Sequence, residues 1–370
     1  MLSTHLSTTV VGLDVEAGSV AATEVKTNGS PQFGRSGIAT LVPGIIREGE
    51  VSDPEALGEV LKDLFAEQKL PRNVRVGLAN QRVIVRTMRL PLIENRDELE
   101  AAIRFQAPEQ IAMPLEQAVI DWQVLDPDPA TIAVKQIDVV VVAARREAVS
   151  SMTRALRRAG LKPVGIDVSA FAMIRALAPE LSATGPSLAV SYEERMAQAD
   201  DTLVPPAPTR MFCNLGDVTN LAVARGTGCL FTRVSSFGIE AVAQRLAERR
   251  GLTLEHARRW LLHVGLEGPL EPIEGDPETV LAARGALEDG ATKLAGELRL
   301  SIDYYGTQEG AVAIEEIIVC GPGTAIAGLP ARLQSELGYA LRIGLPAALS
   351  HLDDATAARL TLSYGLGLES

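Results

Sequence analysis

The chain has 370 residues, too many for one small core; at roughly 150 residues per domain it should fold as two or three. Hydrophobic residues at 46% and charged residues at 22% exclude global disorder, and aromatics at only 4% exclude a nucleic-acid surface built on base stacking. Thirty-five basic residues against 47 acidic ones give a formal net charge of −12, the wrong sign for a DNA or RNA binder or a surface that seeks anionic lipid.

The three cysteines, Cys213, Cys229 and Cys320, are odd in number and contain no Cys-x-x-Cys, so neither a disulfide framework nor a zinc site is expected. His256 and His263 fall two turns apart on one expected helix, with no nearby cysteine or paired acid, and read as ordinary helix positions. The longest apolar stretch, residues 137–144, is far short of the ~20 residues of a membrane span. Met1 to His5 lack the charged and apolar regions of a secretion signal, so the expected location is cytoplasmic.

In chain order, residues 8–14 are β-branched and apolar, Gly18 offers a turn, and 19–25 resume a strand pattern, with a third strand over 36–41. Asp53 is a candidate N-cap and Pro54 suits the first position of a helix whose Leu57, Val60, Leu61, Leu64 and Phe65 share one face. Strands follow at 74–78 and 83–90, with Pro91 as exit. Residues 92–160 read as a compact unit: a helix over 97–105 with Leu99 and Ile103 inward, ended by Ala107-Pro108 and Met113-Pro114, then strands at 119–125 and 137–144 around a loop at 126–129. A helix with Val149, Met152 and Leu156 closes this unit at Gly160. A short strand at 161–167 and an apolar helix at 169–177 come next. Residues 182–209 combine a candidate short strand at 187–191, an acidic run and Pro205-Pro206-Ala207-Pro208, and read as a flexible insertion.

The strand-turn-strand pattern then returns over 210–231. Helices are expected at 239–249, 253–264 and 289–305, the last with Leu294, Leu298, Ile302 and Tyr305 in a stripe. A buried strand at 314–320 runs into Gly321-Pro322-Gly323, a helix at 329–337 ends before Gly338, and a helix of small residues over 361–368 closes the chain.

The two strand-turn-strand units can be laid over each other. Asp14 matches Asn214, Glu16 matches Gly216, and Ser19 matches Thr219, which implies an internal duplication. Backbone N–H groups of a tight turn converge on one spot and can hold phosphate oxygens, a Ser or Thr hydroxyl adds a donor, and a carboxylate at the strand end can hold waters of Mg²⁺. A plain hairpin with small turn residues would look the same. A third element supports the pair: residues 317–323, a strand into Gly321-Pro322-Gly323 and a helix, suit a turn that receives a base and sugar, although Ile326 stands where a Rossmann fingerprint needs its third glycine.

On these residues the chain resembles the actin-like ATPase superfamily, where two phosphate turns and an adenosine turn occur in this order. More narrowly it resembles the PilM family of type IV pilus assembly, related to the cell-division protein FtsA. The specific signal is the helix-Pro segment Leu99-Glu-Ala-Ala-Ile103-Arg-Phe-Gln-Ala-Pro108, followed by Val119-Ile-Asp-Trp-Gln-Val-Leu125, the strand and helix to Gly160, and Lys162-Pro-Val-Gly-Ile-Asp167. The resemblance implies an α/β, ribonuclease H-like fold of two duplicated lobes, with a small α+β insertion in each. The implied division is a first-lobe core of 7–91, 161–181 and 346–370, an inserted subdomain of 92–160, and a flexible insertion of 182–209. The second-lobe core would take 210–238 and 311–345, with a helical subdomain at 239–310.

The resemblance also implies ATP or ADP with Mg²⁺ as ligand. Its nucleotide site would fall on Asp14, Gly18, Ser19, Asn214, Gly216, Asp217, Thr219, Gly321, Gly323 and Thr324, with Asp14 holding Mg²⁺ through water. Asp14 and Asp217 are the candidate catalytic carboxylates. The implied function is a cytoplasmic scaffold of the pilus or a related secretion platform. It would bind the N-terminal cytoplasmic tail of a PilN-like single-pass membrane protein in a groove bordered by residues 74–90 and 97–106, and be recruited through it to the inner face of the plasma membrane. Other platform proteins and further copies of the chain are the remaining implied partners. An FtsA-like division protein is an alternative, against which stands the absence of a basic amphipathic tail at Glu369-Ser370. A small-molecule, sugar-type kinase using Asp167 or Asp217 is another. The family's Asp-x-Gly is altered in both halves, to Asp14-Val-Glu16 and Asn214-Leu-Gly216. Glu16 sets a carboxylate where phosphate should approach, Asn214 cannot act as an ionised partner of Mg²⁺, and Pro322 removes one N–H donor. Little or no hydrolysis is therefore expected.

Overall fold

The computed structural model describes residues 8–28, 30–93, 95–125, 135–182, 207–308 and 310–368. The strand expected at 187–191 and the loop at 126–129 lie outside them, as does most of the expected 182–209 insertion.

β1 (Thr8–Val15), β2 (Ser19–Asn28) and β3 (Ser30–Thr40) form an antiparallel meander. A small hairpin, β4 (Ile46–Arg47) with β5 (Glu50–Val51), leads into α1 (Pro54–Glu67). That helix starts as its sequence reads: the Asp53 carboxylate accepts from the Ala56 N–H, and Pro54 fills the first turn. β6 (Asn73–Leu78) then runs parallel to β1. β7 (Ile84–Pro91), α2 (Arg96–Gln110), β8 (Ala118–Val124) and β9 (Gln136–Arg145) build a separate three-stranded sheet of order β7-β9-β8 with α2 on one face. α3 (Arg146–Arg158), β10 (Lys162–Val168) and α4 (Ser169–Ser182) return the chain to the first sheet, whose order is β10-β6-β1-β2-β3.

The second half repeats the plan. β11 (Thr209–Leu215), β12 (Thr219–Arg225) and β13 (Gly228–Ser235) are an antiparallel meander. α5 (Ile239–Arg250), α6 (Leu254–Val264) and α7 (Pro277–Gly306) follow. β14 (Glu316–Cys320) lies parallel to β11, α8 (Leu329–Leu337) comes next, and β15 (Leu341–Ile343) completes the order β13-β12-β11-β14-β15. β11 stands where β1 does, β12 where β2 does, β14 where β6 does: this is the duplication that the two turns announced. α9 (Asp354–Gly367) ends the described chain.

Alternation in the strands sends successive side chains to opposite faces and so layers the molecule. Val11, Leu13, Val20 and Ala22 face α1 and α3 with Leu57, Leu61, Met152 and Leu156. Met211, Cys213, Leu215, Leu221 and Val223 face α5 to α8. The other faces of both sheets, with Ala21 and Val25 from the first and Phe212, Ala222 and Ile318 from the second, share one core with α4 and α9. These two helices are the layer between the lobes. They come close because glycine allows it. A Cβ on Gly12 of β1 would run into the Ser363 carbonyl of α9, and one on Gly365 of α9 into the Ala172 carbonyl of α4.

Three readings change. The unit expected at 92–160 differs at both ends: β7 pairs along its length with β9, and α3 packs into the first-lobe core. α2 runs through Pro108 to Gln110, since proline there forfeits only one intrahelical hydrogen bond. α7 is 30 residues long and starts at Pro277 under an Asp276 cap, not at 289; Gly285, Gly290 and Gly296 weaken its local signal, and Gly290 lies against Val242 of α5.

Gly12→Ala and Gly365→Ala should each cost about 1–3 kcal/mol through overpacking. Urea midpoints at unchanged m-value measure it, and a loss below ~0.5 kcal/mol, the range of ordinary surface changes, would mean that α9 can shift off the sheet.

Candidate functional site

The two tight turns of the duplicated meanders face each other across a cleft. β1 ends at Asp14 and Val15, and β2 starts at Ser19; β11 ends at Asn214 and Leu215, and β12 starts at Thr219. The turns touch directly. The Gly18 N–H of the first lobe donates to Asp217 Oδ2 of the second at 2.6 Å, and Asn214 Nδ2 donates to Glu16 Oε1 at 3.2 Å. Glu16 lies so close over Gly216 that a Cβ there would strike its Oε1. The adjoining cleft encloses ≈ 700 Å³, counting the part open to solvent. Its lining holds five acids, Asp14, Glu16, Glu48, Asp217 and Glu240, and no lysine or arginine among the described residues.

Compensating charge comes from behind the turn. Arg359, on the first turns of α9, is 7% exposed and sits against the strand end. Its Nη1 donates to Asp14 Oδ2 at 2.5 Å, its Nη2 to the Asp14 and Ser19 carbonyls at 3.3 and 2.9 Å, and its Nε to Ser19 Oγ at 2.8 Å. The same Nε stands 3.9 Å from Glu16 Oε2. Arg258 of α6 pairs with Glu240 through Nε at 2.8 Å and lies against Gly18.

The carboxyls respond to burial. Desolvation, opposed by Arg359, raises Asp14 above its usual range. Desolvation likewise raises Glu16, to about 8; Asp217 and Asp14 add to the rise, and Arg359 and the Asn214 amide act against it. Glu240 is raised by burial and by Asp217 against the pull of Arg258. Burial pushes the Cys213 thiol up to about 12, so it is no nucleophile. Asn220, paired across the ladder from Asn214 and 1% exposed, has no hydrogen-bond partner for either side-chain polar atom among the described residues.

The residues expected to hold nucleotide are only partly brought together. Asp14, Asn214 and Asp217 line the cleft. Ser19 is taken up by Arg359. Thr219 turns away and donates through Oγ1 to the Phe237 carbonyl at 2.7 Å. Thr324 donates to the Gly321 carbonyl at 2.8 Å, and the turn of Gly321 and Gly323 packs on Asn214 and Leu215, beneath the cleft. Asp167 is in an ion pair with Arg175. The readings missed Arg359, Glu48 and the Arg258–Glu240 pair. Arg359 left one trace: it is the one basic residue of a helix that, after Asp354 at its start, is made of alanine, leucine, small residues and Tyr364. No group of three or more His, Cys, Asp or Glu among the described residues is placed to hold a metal. His263 meets the Glu274 carbonyl at 2.9 Å.

The family model described as "Type IV pilus assembly protein PilM" matches residues 12–362. The chain belongs to the PilM family. A solved structure, the PilM-PilN type IV pilus biogenesis complex, overlays at TM-score 0.75 with 26% identity, covering 97% of each chain. The ethanolamine utilization protein EutJ from Carboxydothermus hydrogenoformans overlays at TM-score 0.52 with 12% identity, over 96% of this chain and 88% of that one. The fold is the actin-like one, two ribonuclease H-like lobes in sequence. No helix among the described residues is long and apolar enough to cross a membrane.

The Glu16 shift has a sign that can be checked. Its folded pKa lies above the unfolded value of 4.5, so the native state holds a proton that the unfolded state releases. Stability from this group is fullest below pH 4.5, falls as pH rises to about 8, and is level above. Asp14 slopes the same way, while Asp217, Arg359 and Asn214 complete its surroundings. Glu16→Gln should flatten the decline of the urea midpoint between pH 5 and about 8; a wild-type curve with no such decline would refute the assignment.

Proposed function

We propose that this protein is an actin-like scaffold of a type IV pilus or related secretion platform. It binds the cytoplasmic N-terminal tail of a PilN-like single-pass membrane protein and is held at the inner face of the plasma membrane through it. The observation that carries this is the family match over 12–362 together with the likeness to the PilM-PilN complex along 97% of the chain. The groove assigned to the tail lies between the first-lobe core and the three-stranded sheet, bordered by residues 74–90 and α2. α2 buries Leu99, Ile103 and Ala107 but leaves Phe105 85% exposed, an apolar anchor on that border.

A scaffold suits the cleft better than a kinase does. A phosphoryl-transfer site needs a free carboxylate and donors aimed at developing charge. Here Asp217 accepts from Gly18 and Asp167 is paired with Arg175. We assign the small subdomain of the first lobe to α2 with β7 to β9, and that of the second to 239–310.

A fluorescently labelled tail peptide from the PilN-like partner should bind the purified chain saturably. Phe105→Ser should weaken it by ~10-fold or more, as for a buried aromatic anchor, with the melting temperature unchanged. Undiminished binding by Phe105→Ser would move the groove elsewhere; no binding by the unaltered chain, with no membrane partner in a pull-down, would sink the scaffold reading.

A further inference from the structure

We propose that the Arg359 guanidinium is a built-in cation that takes the place of a metal–nucleotide in this cleft, so that the two lobes stay closed with neither ATP nor ADP bound. A phosphate held by a tight turn needs that turn's N–H groups free to point at it. Here the Gly18 N–H is spent on Asp217 Oδ2 and the Glu16 N–H on the Ser19 carbonyl at 3.0 Å. The one hydroxyl of the turn, Ser19 Oγ, accepts from Arg359. The space is spent as well, since the Glu16 side chain lies over Gly216, where a phosphate would have to approach the second turn.

Charge points the same way. An anionic phosphate chain would enter a lining that carries Asp14, Glu48, Asp217 and Glu240 and no lysine or arginine among the described residues. A divalent cation would ordinarily offset this, but the described residues offer no cluster placed to bind one. Arg359 is the internal remedy. Planar and always charged, it meets Asp14 and Ser19 with its fork of donors and lies beside Glu16. Glu16 and Asp217 then carry the contact to Asn214 and Gly18 across the lobe boundary. The residues do not fit a magnesium nucleotide, and the closed arrangement is complete without one.

This inference is independent of the partner, because tail binding and nucleotide binding are separate readouts on the same full chain. Melting temperature and titration calorimetry are measured with ADP and with ATP, each at about 5 mM, in Mg²⁺ and in EDTA. The unaltered chain should shift by less than ~1 °C and give no saturable heat, since a ligand that bound the native state in this range would stabilise it by mass action. Saturable binding at sub-millimolar Kd overturns the proposal, and this arm needs no variant. Arg359→Met should lower the melting temperature by roughly 5–10 °C by leaving carboxylates uncompensated. About 10 mM Mg²⁺ or free guanidinium should restore part of that loss while leaving the unaltered chain unmoved. A variant as stable as the parent, or one that no added cation restores, overturns the stand-in role.

Discussion

The arrangement depends on one helix lying between two sheets. α9 touches the first sheet through β1 and β2 and lies against α4, which faces the second. Its apolar side fills the shared core with Leu360, Leu362 and Tyr364. Such a contact is possible only because backbones can approach at Gly12 and Gly365. At the open end of the same helix the apolar contact gives way to Arg359. A guanidinium buried to this depth is costly unless its donors are met, and four acceptor contacts from Asp14 and Ser19 meet them. Packing places the charge, and the charge fixes the mutual position of the turns.

That hierarchy explains why one fold serves as enzyme in some settings and as scaffold in others. The sheet order and the facing turns come from the duplication and are indifferent to chemistry. Chemistry needs N–H groups, hydroxyls and carboxylates left unsatisfied until a substrate arrives. In this chain several of them meet one another across the two turns: Gly18 with Asp217, Glu16 with Asn214, and Asp14 and Ser19 with Arg359. Asn220 is the exception, a buried amide on the interlobe face of the second sheet with neither polar atom partnered among the described residues. Such a group is ordinarily met by buried water.

What could be read from the residues follows from the range of the interactions. The Asp53 cap, the Gly160 and Gly338 stops, and both meanders are local, and the sequence pattern marks them. The duplication was legible because two turns share a spacing. The sequence groups β7 with the first-lobe core because its partner, β9, lies some fifty positions on, and a strand's pattern does not say which edge it joins. α7 was shortened because interior glycines mute a helix that its neighbours enforce. Glu16 could be seen as a misfit in a phosphate turn, but its answer could not: Arg359 stands 345 positions from Asp14.

That separation has a consequence for how the chain comes to be folded. Contacts of long sequence range form late, because a large loop must close before they are rewarded. Thr23 meets Ser363 across 340 positions, and the face of β1 and β2 that holds α9 has no other cover among the described helices of the first lobe. During synthesis this face of the first sheet is therefore covered by α4 only over β6 and β10, and its β1 and β2 part waits for α9. A chain that stops short of α9 lacks both Arg359 and the layer on β1 and β2, and so cannot form the junction between the two turns.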